Sequence, residues 1–172
     1  MDIVREQLKV ALGEKLRLSQ SDIAPKGASI EARICAEDPD NNFMPSVGRL
    51  VRYTEPGGPG VRVDAGVEAG DEVSLYYDPQ LAKLVVYGPD REQARQRTLR
   101  ALAEYDIGGV RHNIPLLRRV LEHPKFVAGE LSTHFLTECP DLQGIGRITP
   151  SGLTFMRFLQ LIRQNVIQTL SP

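Results

Sequence analysis

Residues 27–48, GASIEARICAEDPDNNFMPSVG, limit the possible folds more than any other part of the chain. Ile30, Ala32, Ile34 and Ala36 occupy alternate positions, with Glu31, Arg33, Cys35 and Glu37 between them. Successive side chains of a strand point to opposite faces, so this pattern predicts a strand with one face in a core and the other polar. Arg33 stands two positions from Glu31 and four from Glu37, about 7 Å and about 13 Å along such a strand. Asp38-Pro39-Asp40-Asn41-Asn42 then predicts a turn, because Asx side chains bond their own backbone and proline fixes φ. On pattern alone, the polar face is the solvated side of a sheet.

The rest of the chain supplies partners for that strand. Asp2 is placed to cap a helix whose apolar stripe is Ile3, Val4, Leu8, Ala11 and Leu12, and Gly13 stops it. Residues 49–54, 61–64, 73–77 and 82–87 read as further strands, with Pro79 marking a bend or an edge. Gly57-Gly58-Pro59-Gly60 is a hairpin turn or bulge rather than a phosphate loop, since no helix start and no Lys-Ser/Thr follow it. From Asp90 the period becomes helical: Ala94, Leu99, Ala101 and Leu102 face inward, and Arg91, Glu92, Arg95, Gln96 and Arg100 face water. Asn113 caps another helix with Pro115 in its first turn and Leu116, Leu117, Val120 and Leu121 packing. The expected class is α+β: a small, mostly antiparallel sheet with packed helices. Residues 139–150 read as a linker. Phe155, Phe158, Leu159, Ile162, Val166 and Leu170 follow as the stripe of a C-terminal amphipathic helix, buried on its own domain or against a neighbour.

Composition narrows the function classes. The 172 residues carry a formal net charge of −1, which gives no electrostatic case for nucleic acid or an anionic membrane. Residues 153–170 are interrupted by Arg157 and Arg163 and do not span a bilayer. The first residues lack the basic head and apolar run of a secretory signal. Cys35 and Cys139 are too few for a disulfide framework and lack zinc spacing, so free thiols and a cytoplasmic setting are expected. His112, His123 and His134 are scattered without metal-ligand spacing, and no metal site is expected.

Several blocks in order carry a resemblance: EARICAEDP followed by FMPSVG, then EPGGPGVRVD, YYDPQLAKLVVYG and GGVRHNIPLL. Together, over about residues 2–138, they resemble the C-terminal domain of biotin carboxylase; spacing alone implies only a mixed α+β domain. The resemblance implies that residues 1–13 are the helix following an ATP-grasp domain absent from this chain. It makes 14–138 the domain itself and 139–172 a linker and helix, so the chain is expected to begin inside a larger protein. In that family, an ATP-dependent ligase carboxylates biotin on a carrier protein with bicarbonate. ATP and Mg2+ are bound by the ATP-grasp half, and this piece by itself is expected to be inactive. The implied partners are that half, the biotin carboxyl carrier, a carboxyltransferase and a second copy in a homodimer. Acetyl-CoA (fatty acid biosynthesis), propionyl-CoA and pyruvate enzymes share the half-reaction.

Residue by residue, Arg33 matches the arginine placed at the biotin ureido oxygen, where a fixed guanidinium stabilises the charge left by loss of the N–H proton. It is the expected catalytic and biotin-binding residue. Glu31 and Glu37 are expected to orient it, with Asp78 as a further partner, and Lys83 is a wall residue or an exposed strand lysine. The 57–62 turn matches a dimer contact. Arg62 corresponds to an interface arginine, and Pro59 stands where some relatives carry an aromatic residue. The alternative is a non-catalytic binding or assembly module built on the same fold.

Overall fold

The computed structural model describes residues 2–142. In chain order the elements are α1 (Ile3–Ala11), β1 (Ala28–Cys35), β2 (Glu37–Asp38), β3 (Met44–Pro45), β4 (Gly48–Arg49), β5 (Arg52–Thr54) and β6 (Val61–Ala65). They continue as β7 (Glu72–Val73), β8 (Gln80–Gly88), α2 (Arg91–Glu104), β9 (Asp106–Gly108), α3 (Ile114–Glu122), α4 (Pro124–Ala128) and α5 (Phe135–Glu138). Every ladder among the described residues is antiparallel: the sheet β1-β8-β6 and the two-stranded pairs β2-β3, β4-β7 and β5-β9. The class is α+β, as expected. The helix expected over 153–170, and the linker from 143 onward, lie outside the described residues.

β1 forms where the alternation placed it. Ala28, Ile30, Ala32 and Ile34 are buried, while Ser29, Glu31 and Arg33 are half-buried on the other face. The alternation breaks one residue early. Ile34 pairs with Ala82, but Cys35 pairs with Gln80, so Leu81 is an extra residue on β8. This bulge brings Leu81 and Ala82 of β8 both into the buried layer, and Cys35 is buried although its thiol still faces the charges of Arg33 and Glu37 on the odd-numbered side of β1.

Residues 49–54 are not one strand. β4 pairs with β7 and β5 with β9, and fully buried Leu50 is the pivot between them. The close approach needs Gly109 at φ 104°, because a Cβ there would collide with the Arg49 carbonyl. Nor does the 57–60 turn close a hairpin: β5 pairs with β9 and β6 with β8, so the turn carries the chain from a side ladder to the main sheet. The strand expected over 73–77 ends at Val73, and Leu75, Tyr76 and Tyr77 lie exposed in the turn before β8.

α2 lies on the inner face of the sheet with Ala94, Thr98, Ala101 and Leu102 buried. Arg91 and Arg95, expected in water, are built into the domain. Arg95 is 8% exposed and donates from Nη1 to the Leu121 carbonyl at 3.0 Å, while Nε and Nη2 fork onto Glu92 at 2.8 and 2.7 Å. Arg91 donates to the Phe126 and Val127 carbonyls and stacks over the Phe126 ring, 4.9 Å from its centroid. An arginine has an apolar stem and a five-donor head, so it can close the carbonyl ends of α3 and α4 while packing like a hydrophobe. α1 buries no residue, and with residues 16–23 it borders an apolar cavity of ≈ 530 Å³.

Candidate functional site

The outer face of the three-stranded sheet is organised in cross-strand rungs. One rung carries Arg33 on β1, Lys83 on β8 and Asp64 on β6; the next carries Glu31, Val85 and Arg62. Directly opposed side chains share a face, so the alternation that buries Ile30, Ala32 and Ile34 sets these charges side by side.

Among the described residues two guanidinium nitrogens are buried without a hydrogen-bond partner, Nε of Arg119 on α3 and, on this face, Nε of Arg33. The Arg33 side chain is 22% exposed, and the Glu31 carboxylate stands 3.7 Å from its Nε, inside ion-pair range and beyond hydrogen-bond range. Glu31 is therefore brought to Arg33 as expected. Asp78 does different work: its Oδ1 accepts the Gln80 N–H at 3.0 Å and shapes the entry to β8. Its charge, with that of Glu37, is felt at the Cys35 thiol. Burial pushes that thiol far above its ordinary pKa, Glu37 and then Asp78 push the same way, and Arg33 opposes them. The thiol stays protonated and inert. Lys83 sits half-buried between Arg33 and Asp64.

At the far edge Arg62 and Asp64 form a two-point fork at 2.8 and 2.7 Å. Those hydrogen bonds hold the Asp64 carboxyl below its ordinary range, and the Lys83 charge adds to the effect. Pro59 is exposed in the preceding turn. That turn is held from beneath by α2: Arg100 donates to the Gly57 carbonyl at 3.2 Å and Arg97 to that of Tyr87 at 3.0 Å.

One residue at the site escaped the sequence. Asn113 occupies the N-cap position of α3, but its side chain makes no capping bond. It is 1% exposed and bonds the backbone of Arg33 and Cys35 instead. An asparagine before Ile-Pro reads as a cap whatever its side chain does, so no local signal could reveal this.

The family model described as the biotin carboxylase C-terminal domain matches residues 31–138. The chain belongs to that family. Arg33, Pro59, Arg62, Asp78 and Asn113 all lie inside the matched residues. Among its relatives, the mitochondrial propionyl-CoA carboxylase alpha chain of Mus musculus is 50% identical over 80% of this chain and 19% of its own length. Biotin carboxylase 1 of Bacillus subtilis is 46% identical over 83% of this chain and 32% of its own. A solved relative is the biotin carboxylase domain dimer of Hydrogenobacter thermophilus 2-oxoglutarate carboxylase, in complex with MgADP, ADP and bicarbonate. It superposes with a TM-score of 0.79 at 44% identity, covering 86% of this chain and 32% of that one. The chain thus spans between a fifth and a third of the length of these biotin-dependent carboxylases.

Proposed function

We propose that this chain is the C-terminal wall of a biotin carboxylase, an ATP-dependent ligase that carboxylates biotin on a carrier protein. The observation that supports it best is Arg33. A buried donor without a partner costs about 1–3 kcal/mol, a cost that a binding site can recover when a ligand oxygen arrives. The residues present fit a biotin ureido group: a half-buried guanidinium on β1, with the Glu31 carboxylate 3.7 Å from its Nε. Biotin supplies the nitrogen that takes up the carboxyl group. Arg33 stabilises negative charge on the ureido oxygen and Glu31 limits the rotation of the guanidinium, while the nearby Glu37 and Asp78 carboxylates act against the field of Arg33, as they do at the Cys35 thiol.

The residues present do not fit the nucleotide. Among the described residues no three His, Cys, Asp or Glu side chains converge as metal ligands, and the glycine-rich run at 57–60 opens no helix. ATP and Mg2+ therefore fall to an ATP-grasp half, and the carrier and carboxyltransferase are the further partners. A homodimer contact through Pro59 and Arg62 is supported by the exposure of that turn and by the dimeric state of the Hydrogenobacter domain. Two buried free thiols suit the cytoplasm.

The test is made with this chain joined to its ATP-grasp half. Arg33→Gln keeps hydrogen-bonding capacity and removes the charge, and is expected to lower biotin carboxylation by about 10²–10³. Arg33→Lys should recover only part of the rate, because a point charge does not reproduce the planar fork. ATP affinity and thermal stability should hold. A rate within about threefold of wild type, or a joint fall of all three properties, makes Arg33 structural.

A further inference from the structure

Among the described residues the buried polar side chains are Arg95, Thr98 and Asn113. Arg95 reaches another helix and Thr98 bonds its own helix at Ala94. Asn113 reaches the proposed site. Its Nδ2 donates to the Arg33 carbonyl at 3.0 Å, and its Oδ1 accepts the Cys35 N–H at 3.0 Å. Its own N–H donates to the Cys35 carbonyl at 3.1 Å.

Among the described residues β1 is an edge strand, paired on one side with β8. The groups of Arg33 and Cys35 that Asn113 takes up belong to the opposite edge from the even-numbered residues, as Ala36 N–H donating to the Pro79 carbonyl shows. Asn113 therefore acts as a one-residue neighbouring strand. It sits where the β1–β8 register slips between Ile34 and Cys35 and where ladder pairing holds least firmly. In doing so it forgoes the capping bond that its position offers.

We infer that Asn113 is a positioning residue for Arg33: by clamping the β1 edge on both sides of the bulge, it sets the direction in which the Arg33 side chain leaves the sheet. This rests on the reading of Arg33 given above. Asn113→Asp is the informative substitution. It keeps size, the acceptor for Cys35 and an equally good N-cap, and deletes the donor to the Arg33 carbonyl.

The experiment uses the chain joined to its ATP-grasp half, with free biotin as the probe, and compares wild type, Asn113→Asp, Arg33→Gln and the double variant. Asn113→Asp is expected to lower kcat about tenfold, the scale of a modest misplacement of a reacting group, with KM for ATP unchanged. If Asn113 acts through Arg33, the double variant is no slower than Arg33→Gln within about twofold; multiplied losses, or a wild-type kcat for Asn113→Asp, overturn the inference. An inert Arg33→Gln overturns the reading of Arg33 and takes the inference with it, so the two failures are told apart. Should Asn113→Asp fail to fold, hydrogen exchange of the wild-type chain decides. The Cys35 amide is expected to be protected like that of Ala36, and exchange as fast as the exposed Tyr76 amide shows that the clamp is absent.

Discussion

α1 and α2 begin alike, and only one becomes part of the domain. Each is capped by an aspartate whose Oδ1 accepts the third N–H of the helix: Asp2 from Arg5 at 3.0 Å, Asp90 from Gln93 at 2.8 Å. α1 has the clean apolar stripe, yet Leu8 is 62% exposed and no residue of the helix is buried. α2 is dense with arginine, yet it covers the inner face of the main sheet. Its small side chains, Ala94, Thr98 and Ala101, let the backbone come close, and its arginines close carbonyls on other elements. Docking depends on a matching surface and on satisfied partners more than on the apolarity of the stripe.

The largest effect should come from the arginine that looks least like a core residue. Arg95→Ala removes a buried stem, leaves the Leu121 carbonyl unpaired and frees Glu92, so it is expected to cost about 2–3 kcal/mol. Urea unfolding followed by circular dichroism measures this; a loss indistinguishable from that of a surface residue would return α2 to the solvent-facing reading. The two caps then separate the helices. Asp90→Ala is expected to lower Tm by a few degrees, because α2 unfolds with the domain. Asp2→Ala should leave Tm unchanged and only fray α1, seen as faster amide exchange over residues 3–11. Equal Tm shifts would mean that α1 belongs to the same cooperative unit.

The smallest effect is a dependence on pH. Its fork with Arg95, and after that its bond with Gln96, hold the Glu92 carboxyl at about 2, below its ordinary 4.5. A carboxyl depressed in the folded state adds stability that is present above 4.5 and is lost as the pH falls through about 2. Between those values, wild type should lose stability more steeply than Glu92→Gln; parallel curves would show that the fork contributes nothing.

How much of this was legible follows from the range of each interaction. β1 could be read because alternation is local and one face is buried, which also placed Arg33 beside Glu31. The Asp2 and Asp90 caps were local as well. The break at Leu50 was not, because it is set by two partners, β7 and β9, brought in from later in the chain. The 57–60 turn looked like a hairpin for the same reason. Arg95 and Asn113 were misread because residue type predicts where a side chain prefers to be, while its bonds here lie 26 and 80 residues away. The site was therefore visible as a charged strand face, and its support was not.

The separation between β1 and its partners also sets an order of events during synthesis. Ala28 pairs with Gly88 and Arg33 with Lys83, so when β1 is made its sheet partner β8 still lies about fifty residues ahead in the chain. The main sheet closes across these long separations after β8 emerges, and the Asn113 clamp on Arg33 arrives later still. A nascent chain halted before residue 113 would carry a paired β1 with an open edge at Arg33 and Cys35. The part of the domain assigned to chemistry is thus the last part of the sheet to be finished, and an unfinished chain offers that edge to any passing strand.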